Sequence, residues 1–289
     1  MTWRRWLGRA IIVALLGAMV GGGSAGSDRC TQRALNKIFR GIIYGCEELA
    51  VDDEGRGAVY WVRIDLTAPG ISLYVTPLDA EAVGEGWQYR LRSISDVVTS
   101  ERLAVAINGT MFRSSSRSRP RWWPRMAGDL ARTTDTVVAD HIVARGTWDT
   151  YLLSFDSQMT PHLGLSKPPT AAQLAGTKLG IGSEAAWLRE GTVWPGADRK
   201  PDARTAVAID EQQKRLYFAV GEWVSPRRLL QMLAKLGAKD GMLLDGGLSS
   251  AMAIGEGANG ILPGLVSGGW RPVATYLGVK AEPLAVVGR

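Results

Sequence analysis

The pattern of apolar and polar positions predicts strands over most of the chain. Short runs rich in β-branched and aromatic residues, bounded by Gly, Pro, Asn or Asp, are typical of strands. We expect two strands paired around the turn "TAPG" in "GAVYWVRIDLTAPGISLYVTPLD", with Val59 and Trp61 on alternate positions of the first. Further strands are predicted for residues 103–107, for both halves of "ARTAVAIDEQQKRLYFAVG", for residues 242–244 and for "RPVATYLGV".

The segment "SPRRLLQMLAKLG" predicts the clearest helix. Ser225 suits the N-cap, Pro226 suits the first turn and Gly237 ends the helix. One apolar face is formed by Leu229, Leu230, Leu233 and Leu236. Residues 31–50 begin with helix-compatible spacing. Because strands outnumber helices and no repeat or low-complexity linker divides the chain, we predict an α+β fold, a single mixed domain with substantial β-sheet and a few helices.

The N-terminal residues have the layout of a secretory signal. Three arginines precede the apolar run from Ala10 to Val20, and small residues follow it. We predict a signal peptide at 1–25, an N-terminal extension at 26–56 and the main domain at 57–289. The protein is then exported, to the periplasm or the extracellular space. An uncleaved N-terminal anchor is the alternative, and we expect membrane contact only through that segment, if at all.

Removing the predicted signal peptide lowers the net positive charge of the chain. The full chain is +6, and residues 1–25 carry three arginines and no acid, which leaves +3 (6 − 3). That charge is too small to indicate nucleic-acid binding, although it is compatible with an anionic substrate.

In an exported protein the only two cysteines, Cys30 and Cys46, are expected to form a disulfide; two free buried thiols are the alternative.

The chain contains two histidines, His141 and His162. They do not have metal-ligand spacing, so a His-rich zinc site is excluded and we expect no metal or cofactor. A Ser-His-Asp triad would have to use one of the two, whereas the segments "ADHIVAR" and "MTPHLGL" favour structural or solvated roles.

Polar residues stand at the ends of three predicted strands. These are Asn108-Gly109 after "AVAI", Arg204 at the start of "RTAVAI", and Asp245-Gly246-Gly247 after "MLL". Asp-Gly-Gly by itself is typical of a turn. Polar groups at the mouths of buried strands are also a common place for a binding site, because the scaffold there is rigid and glycine lets a ligand approach the backbone.

Four segments in order resemble those of the phosphodiester glycosidase family. They are "INGTMF", "RTAVA", "LDGGLSS" and "RPVATYL", matching the family's "INGGFF", "RTAIG", "LDGGGSS" and "RPVPNAL". The resemblance covers about residues 57–280. This chain departs from the pattern at Thr110 and Met111, and at Leu248, where the family has small or aromatic residues.

The resemblance implies hydrolysis of the bond between a sugar anomeric carbon and a phosphodiester, in an envelope or extracellular glycan. It implies Asp245 as the catalytic carboxylate and Arg204 and Arg271 as guanidinium groups for the phosphate. Asp202 is the expected second carboxylate, with Glu184 as the other choice. The remaining expected substrate-binding residues are Asn108, Gly109, Gly246, Gly247, Ser249, Ser250 and Trp270.

Two alternatives remain open at this point. The bulk at Thr110, Met111 and Leu248 could fill the pocket, which favours a non-catalytic glycan-binding protein on the same scaffold. Asp245 and Asp202 could instead ligate a hard cation in a metal-dependent phosphodiesterase, although the chain lacks the usual density of carboxylates for that chemistry.

Overall fold

The computed structural model describes residues 30, 36–52, 55–115, 124–148, 150–164, 166–184, 186–197, 200–261 and 263–284. The predicted signal peptide lies outside these residues and stays a prediction. None of the helices in the described part of the chain is long and apolar enough to cross a membrane.

The largest sheet has eight antiparallel strands. In chain order they are β1 (Asn36–Phe39), β2 (Ile42–Asp52), β3 (Gly55–Asp65), β14 (Leu188–Arg189), β15 (Thr192–Val193), β16 (Asp202–Asp210), β17 (Arg215–Val224) and β18 (Asp240–Leu243). Their spatial order is β1-β2-β3-β17-β16-β18-β14-β15. We call this sheet A.

Three smaller sheets complete the β-structure. Sheet B, in the spatial order β20-β19-β6-β21-β4, contains β4 (Ser72–Val75), β6 (Val105–Asn108), β19 (Ala251–Ile254), β20 (Gly264–Gly268) and β21 (Tyr276–Lys280). A second five-stranded sheet, β10-β9-β13-β11-β12, contains β9 (Val137–Ala139), β10 (Ile142–Ala144), β11 (Tyr151–Phe155), β12 (Pro161–Leu163) and β13 (Leu179–Ser183). The three-stranded sheet β5-β8-β7 contains β5 (Tyr89–Arg90), β7 (Phe112–Ser114) and β8 (Leu130–Thr133).

Four α-helices occur in the described residues: α1 (Ala80–Gly84), α2 (Ile94–Glu101), α3 (Ala171–Gly176) and α4 (Pro226–Lys235). Helix α4 is the one predicted from sequence. The Ser225 hydroxyl accepts a hydrogen bond from the backbone N–H of Arg228, and Gly237 adopts φ +102° just beyond the helix. The predicted α+β class, with sheet predominating, is confirmed.

Sheet A is buried on both faces. In β16, Val207 belongs to the main core between the sheets, whereas Ala206 and Ala208 pack against α4, whose Leu229 and Leu233 are fully buried. This arrangement explains why residues 206–209 of β16 and 241–243 of β18 form short runs without a polar side chain.

Two expectations about the first part of the chain are corrected. The strands around "TAPG" form, but they do not pair with each other, because β3 lies between β2 and β17 in sheet A and β4 pairs with β21 in sheet B. Residues from Asn36 onward form strands, although helix-compatible spacing begins at residue 31; residues 31–35 lie outside the described part. The division of the chain at residue 57 stays a prediction; residue 57 lies within β3.

A disulfide joins Cys30 to Cys46, which lies in β2. Cys30 is buried, and its bridge attaches the described residue nearest the N-terminus to sheet A. The expected pairing is therefore present in the structure.

Replacing Cys30 and Cys46 together with serine is expected to lower the free energy of unfolding by about 3 kcal/mol, because the unfolded chain regains the entropy that the bridge removes. The cysteines are separated by 16 positions in the sequence. Urea unfolding of the oxidised protein and the variant tests this, and the reduced wild-type protein should match the variant. Equal unfolding free energies for oxidised protein and variant would contradict it.

Candidate active site

The side-chain amide of Asn108 joins sheet A to sheet B at one end of the molecule. Asn108 ends β6 and is fully buried. Its Oδ1 accepts hydrogen bonds from Thr205 Oγ1 (2.7 Å) in sheet A and from the N–H of Ala251 (3.0 Å) in sheet B. Its Nδ2 donates to the carbonyl oxygen of Asp245 at 2.8 Å. Asn108 therefore positions the Asp245 turn and, because it is fully buried, is not exposed to a ligand as the prediction of substrate binding would require.

Gly109 has a packing role of the same kind. Its N–H donates to the Thr275 carbonyl oxygen at 2.7 Å, and its carbonyl oxygen accepts from the N–H of Asp245 at 3.1 Å. A Cβ atom at this position would lie 2.4 Å from Thr275 Oγ1. The glycine thus lets the backbone approach β21 closely, whereas the sequence suggested that it admits a ligand.

Asp245 follows β18 and forms a cluster with Ser249 and Arg271. Arg271 Nε donates to Ser249 Oγ at 3.0 Å, its Nη2 also contacts that oxygen, and Nη2 lies 3.6 Å from Asp245 Oδ2. Burial raises the pKa of Asp245, and the hydrogen bond from Ser249 and the charges of Arg271 and Arg125 lower it in part. The structure therefore places a largely buried carboxylate beside a guanidinium, and the roles predicted for the two residues stay predictions.

An aromatic ring supports the cationic side of this cluster. Arg125 lies over the Phe112 ring at 4.8 Å from its centroid, and Arg271 lies 5.7 Å from the same centroid. Two guanidinium groups on one ring suit cation–π interaction and leave both groups near Asp245. Sequence reasoning missed Arg125, because nothing in its local sequence distinguishes it from a loop arginine.

Arg204 and Asp202 both lie beside the Asp245-Gly246-Gly247 turn. The regular alternation of side chains along a strand is not the reason. A β-bulge interrupts β16 between the two residues, so the argument that put them on the same side of the strand is wrong. A Cβ atom at Gly246 would lie 3.4 Å from Arg204 Nη1, and one at Gly247 would lie 3.8 Å from Asp202 Oδ2. Asp202 is exposed, and its Oδ1 accepts from the adjacent Ala203 N–H.

A second acid close to the turn was missed. Asp135 is fully buried, and its Oδ2 accepts hydrogen bonds from Thr110 Oγ1 and from Thr134 Oγ1, the latter at 2.9 Å. Burial raises the pKa of Asp135 to about 6, the two hydroxyls lower it, and the charge of Glu184 raises it further. Thr110 follows Gly109 directly, so segment 108–110 contacts Asp135 through the Thr110 hydroxyl and Asp245 through the Gly109 carbonyl oxygen. The only sequence signal was the polar run "RTTDT" before β9.

The other predicted site residues differ in exposure. Ser249 and Ser250 are buried, and within the described part of the chain Ser250 Oγ and Asp135 Oδ1 have no protein hydrogen-bond partner. Trp270 is 86% exposed beside Arg271.

Both histidines contact groups outside the Asp245 cluster. His141 Nδ1 lies 3.0 Å from the Thr177 carbonyl oxygen, and His162 Nδ1 lies 3.3 Å from Glu211 Oε2. No group of three metal-ligating side chains occurs among the residues that the structure describes.

Changing Asn108 to Asp is expected to lower the free energy of unfolding by about 2–4 kcal/mol, because a carboxylate oxygen would face the Asp245 carbonyl that Nδ2 now satisfies. Urea unfolding measures the loss. The matched control is Asn259→Asp, at an exposed amide that donates to the Lys37 carbonyl, and it should change stability little. Equal effects of the two substitutions would show that Asn108 does not hold the sheets together.

Asp135 is expected to make stability fall as the pH rises from about 4 to about 6. Its pKa is raised on folding, so the unfolded chain loses the proton first and the folded state loses relative stability across that window, by about 3 kcal/mol. Asp135→Asn should flatten this slope in unfolding experiments from about pH 4 to about pH 7. The same change at the exposed Asp140 should leave the slope as in the wild type, and an unaltered slope in Asp135→Asn would refute the assignment.

Comparisons with known proteins bear on the family and the fold of this chain. A profile of the phosphodiester glycosidase family matches residues 101–280. Among solved structures, the chain is similar to the zebrafish N-acetylglucosamine-1-phosphodiester alpha-N-acetylglucosaminidase catalytic domain, auto-inhibited by its pro-peptide, with a TM-score of 0.59 and 14% identity over 86% of each chain. It is also similar to a hypothetical protein from Synechocystis, with a TM-score of 0.53 and 14% identity, covering 84% of this chain and 62% of that one. No curated protein sequence matches it significantly.

The family match spans more than half of the chain and includes the segments that carry Asn108, Arg204, Asp245 and Arg271. The similar structures, at low identity, share the fold. The resemblance seen in the sequence is confirmed: the chain belongs to the phosphodiester glycosidase family.

Proposed function

We propose that this protein is an exported hydrolase that cleaves the glycosidic bond of a sugar-1-phosphodiester. The observation that carries the proposal is the Asp245–Ser249–Arg271 cluster, a largely buried carboxylate hydrogen-bonded to a serine and next to a guanidinium. Membership of the family and the fold shared with the zebrafish enzyme support the reaction class. Export rests on the signal-like residues 1–25.

The reaction separates the anomeric carbon from a phosphate oxygen. Water supplies a hydroxyl group to the sugar, and the phosphate leaves with the bonding electron pair as a monoester, while the proton from water passes to a base. A phosphate leaves readily, so the site needs a strong general acid less than an ordinary glycosidase does. Charge stabilisation and a carboxylate at the anomeric carbon remain necessary.

The named side chains supply these functions. Arg271 stabilises the phosphate charge, and Arg204, which lies beside Gly246, supplies a second positive charge. Asp245 acts at the anomeric carbon, either as the nucleophile or as the base for water, and its raised pKa makes it a better base. Ser249 contacts both charged groups, so it holds them in one orientation.

The glycan-binding alternative required bulky side chains in the pocket. The Thr110 hydroxyl bonds the buried Asp135, and Leu248 is 65% exposed to solvent. Neither position gives a specific reason to regard the cleft as blocked, so the hydrolase is the better supported function.

Asp245→Asn is expected to lower kcat on a synthetic N-acetylglucosamine-1-phosphodiester by about 10³-fold or more, because an amide can serve neither as nucleophile nor as base. Release of free sugar is the measurement, and a panel of other sugar phosphodiesters is run in parallel. Proton NMR of the first product anomer distinguishes retention from inversion.

The matched control is Asp240→Asn, at the far end of the same strand, where Asp240 pairs with Ile209. That variant should retain activity. Asp202→Asn, at an exposed carboxylate, should cost less than about tenfold. Turnover by Asp245→Asn close to that of the wild type would exclude the proposed role, and no turnover of any diester by the wild type would refute the function.

A further inference from the structure

Three large apolar side chains are exposed at the end of the molecule that carries the site. They are Trp223 at the end of β17, Leu248 in the turn after Asp245, and Trp270 beside Arg271, with exposed fractions of 56%, 65% and 86%. We call these three residues the apolar rim. Apolar side chains scattered singly over a surface need no explanation, whereas a group around one cleft marks an interaction surface.

Contacts between neighbouring residues connect the three positions. Ser267 Oγ, three residues before Trp270, donates to Glu222 Oε1 at 2.8 Å, next to Trp223. Asp202 pairs across the sheet with Val224, and its Oδ2 lies 3.8 Å from the Cβ position of Gly247. The rim therefore follows the same strand ends that hold Asp245 and Arg271.

Each rim residue either has a positive φ or directly follows a glycine with a positive φ. Trp223 itself has φ +52°, which is rare for a bulky residue and lies opposite the bulge in β16. Leu248 follows Gly247 at φ +62°, and Trp270 follows Gly269 at φ +78°. Only Trp223 has the rare conformation itself, since glycine adopts positive φ readily. All three side chains leave apolar surface exposed to water, which is unfavourable.

Cations accompany the rim. Arg204 Nη2 donates to the backbone carbonyl oxygen of Lys200 at 2.9 Å, which holds the Arg204 guanidinium beside this segment, and Lys200 itself is exposed. Arg271 is 26% exposed between Trp270 and Asp245. Tryptophan prefers the boundary between water and lipid, an aliphatic side chain inserts into the acyl region, and cations face anionic headgroups.

We propose that the apolar rim seats the mouth of the cleft on an anionic lipid surface, and that the substrate is a sugar-1-phosphodiester whose other side is a lipid. The lipid contact stands on the surface alone; the substrate class also rests on the proposed hydrolase function. A glycan chain would use the two tryptophans as stacking faces but gives Leu248 no role, since leucine offers no flat face to a sugar ring. This contact is additional to the N-terminal segment, the only membrane contact expected from sequence.

Site-specific fluorescence tests the lipid contact without reference to catalysis. An environment-sensitive nitrobenzoxadiazole label is attached to the full chain at Leu248→Cys and, in a separate variant, at Ile142→Cys, and vesicles of phosphatidylglycerol and phosphatidylcholine are added. Ile142 is a matched control because it is aliphatic, 60% exposed and in the β9–β10 hairpin. The label at position 248 should brighten about twofold or more and shift to the blue, whereas the label at 142 should not.

The N-terminal segment is common to both labelled variants, so tethering by that segment cannot produce the difference. An unchanged signal at 248, or equal changes at both positions, overturns the proposal. Circular dichroism confirms that each labelled chain is folded.

Hydrolysis tests the substrate class. Two values of kcat/KM are compared for each variant, one for a lipid-linked sugar phosphodiester in vesicles and one for a water-soluble diester. Trp223→Ala should lower the ratio of the first value to the second by about tenfold, and Trp194→Ala should leave the ratio unchanged. Trp194 is a similarly exposed tryptophan on the β14–β15 hairpin. A fall for a soluble glycan polymer with no effect on the lipid-linked diester overturns the lipid assignment. If the wild type hydrolyses neither diester, the hydrolase proposal fails while the fluorescence result still decides the lipid contact.

Discussion

The Asn108 amide is the interaction on which the candidate site depends. A buried primary amide can satisfy backbone and side-chain groups on several strands at once, and here it satisfies groups on sheet A, sheet B and the Asp245 turn. In a dry interior each of these bonds is costly to lose, because the partner left behind has no water to replace it. The position of Asp245 is therefore set by the junction of the two sheets and not by the turn alone.

The pKa of Asp245 and its interaction with Arg271 both depend on the burial of this junction. The interior that raises the pKa of Asp245 also strengthens its attraction to Arg271, so one carboxylate is both basic and firmly oriented. Asp135 is fully buried and accepts hydrogen bonds from the hydroxyls of Thr110 and Thr134. Burial raises the pKa of both acids, and at Asp245 the charges of Arg271 and Arg125 oppose that rise.

Much of this arrangement could be predicted from sequence, for reasons that differ between elements. Helix α4 was predictable because its cap, its leucine face and its final glycine agree. The strands ending at Asn108 and beginning the Asp245 turn were predictable because fully buried strands are short apolar runs. The pairing of β4 with β21 was not, since about two hundred residues separate them in the chain and no local pattern encodes the choice. The roles of Asn108 and Gly109 were reversed for a related reason: sequence shows that a polar or small residue is present, but not which way it faces.

The strand order of sheet B affects the order in which parts of the protein fold. Strand β21, near the C-terminus, lies between β6 and β4, so these earlier strands have no partner on that side until the last part of the chain has been made. Pairings of such long range close slowly. The junction of sheets A and B that holds the Asp245 turn is therefore completed late, so a chain still in synthesis lacks the assembled cluster.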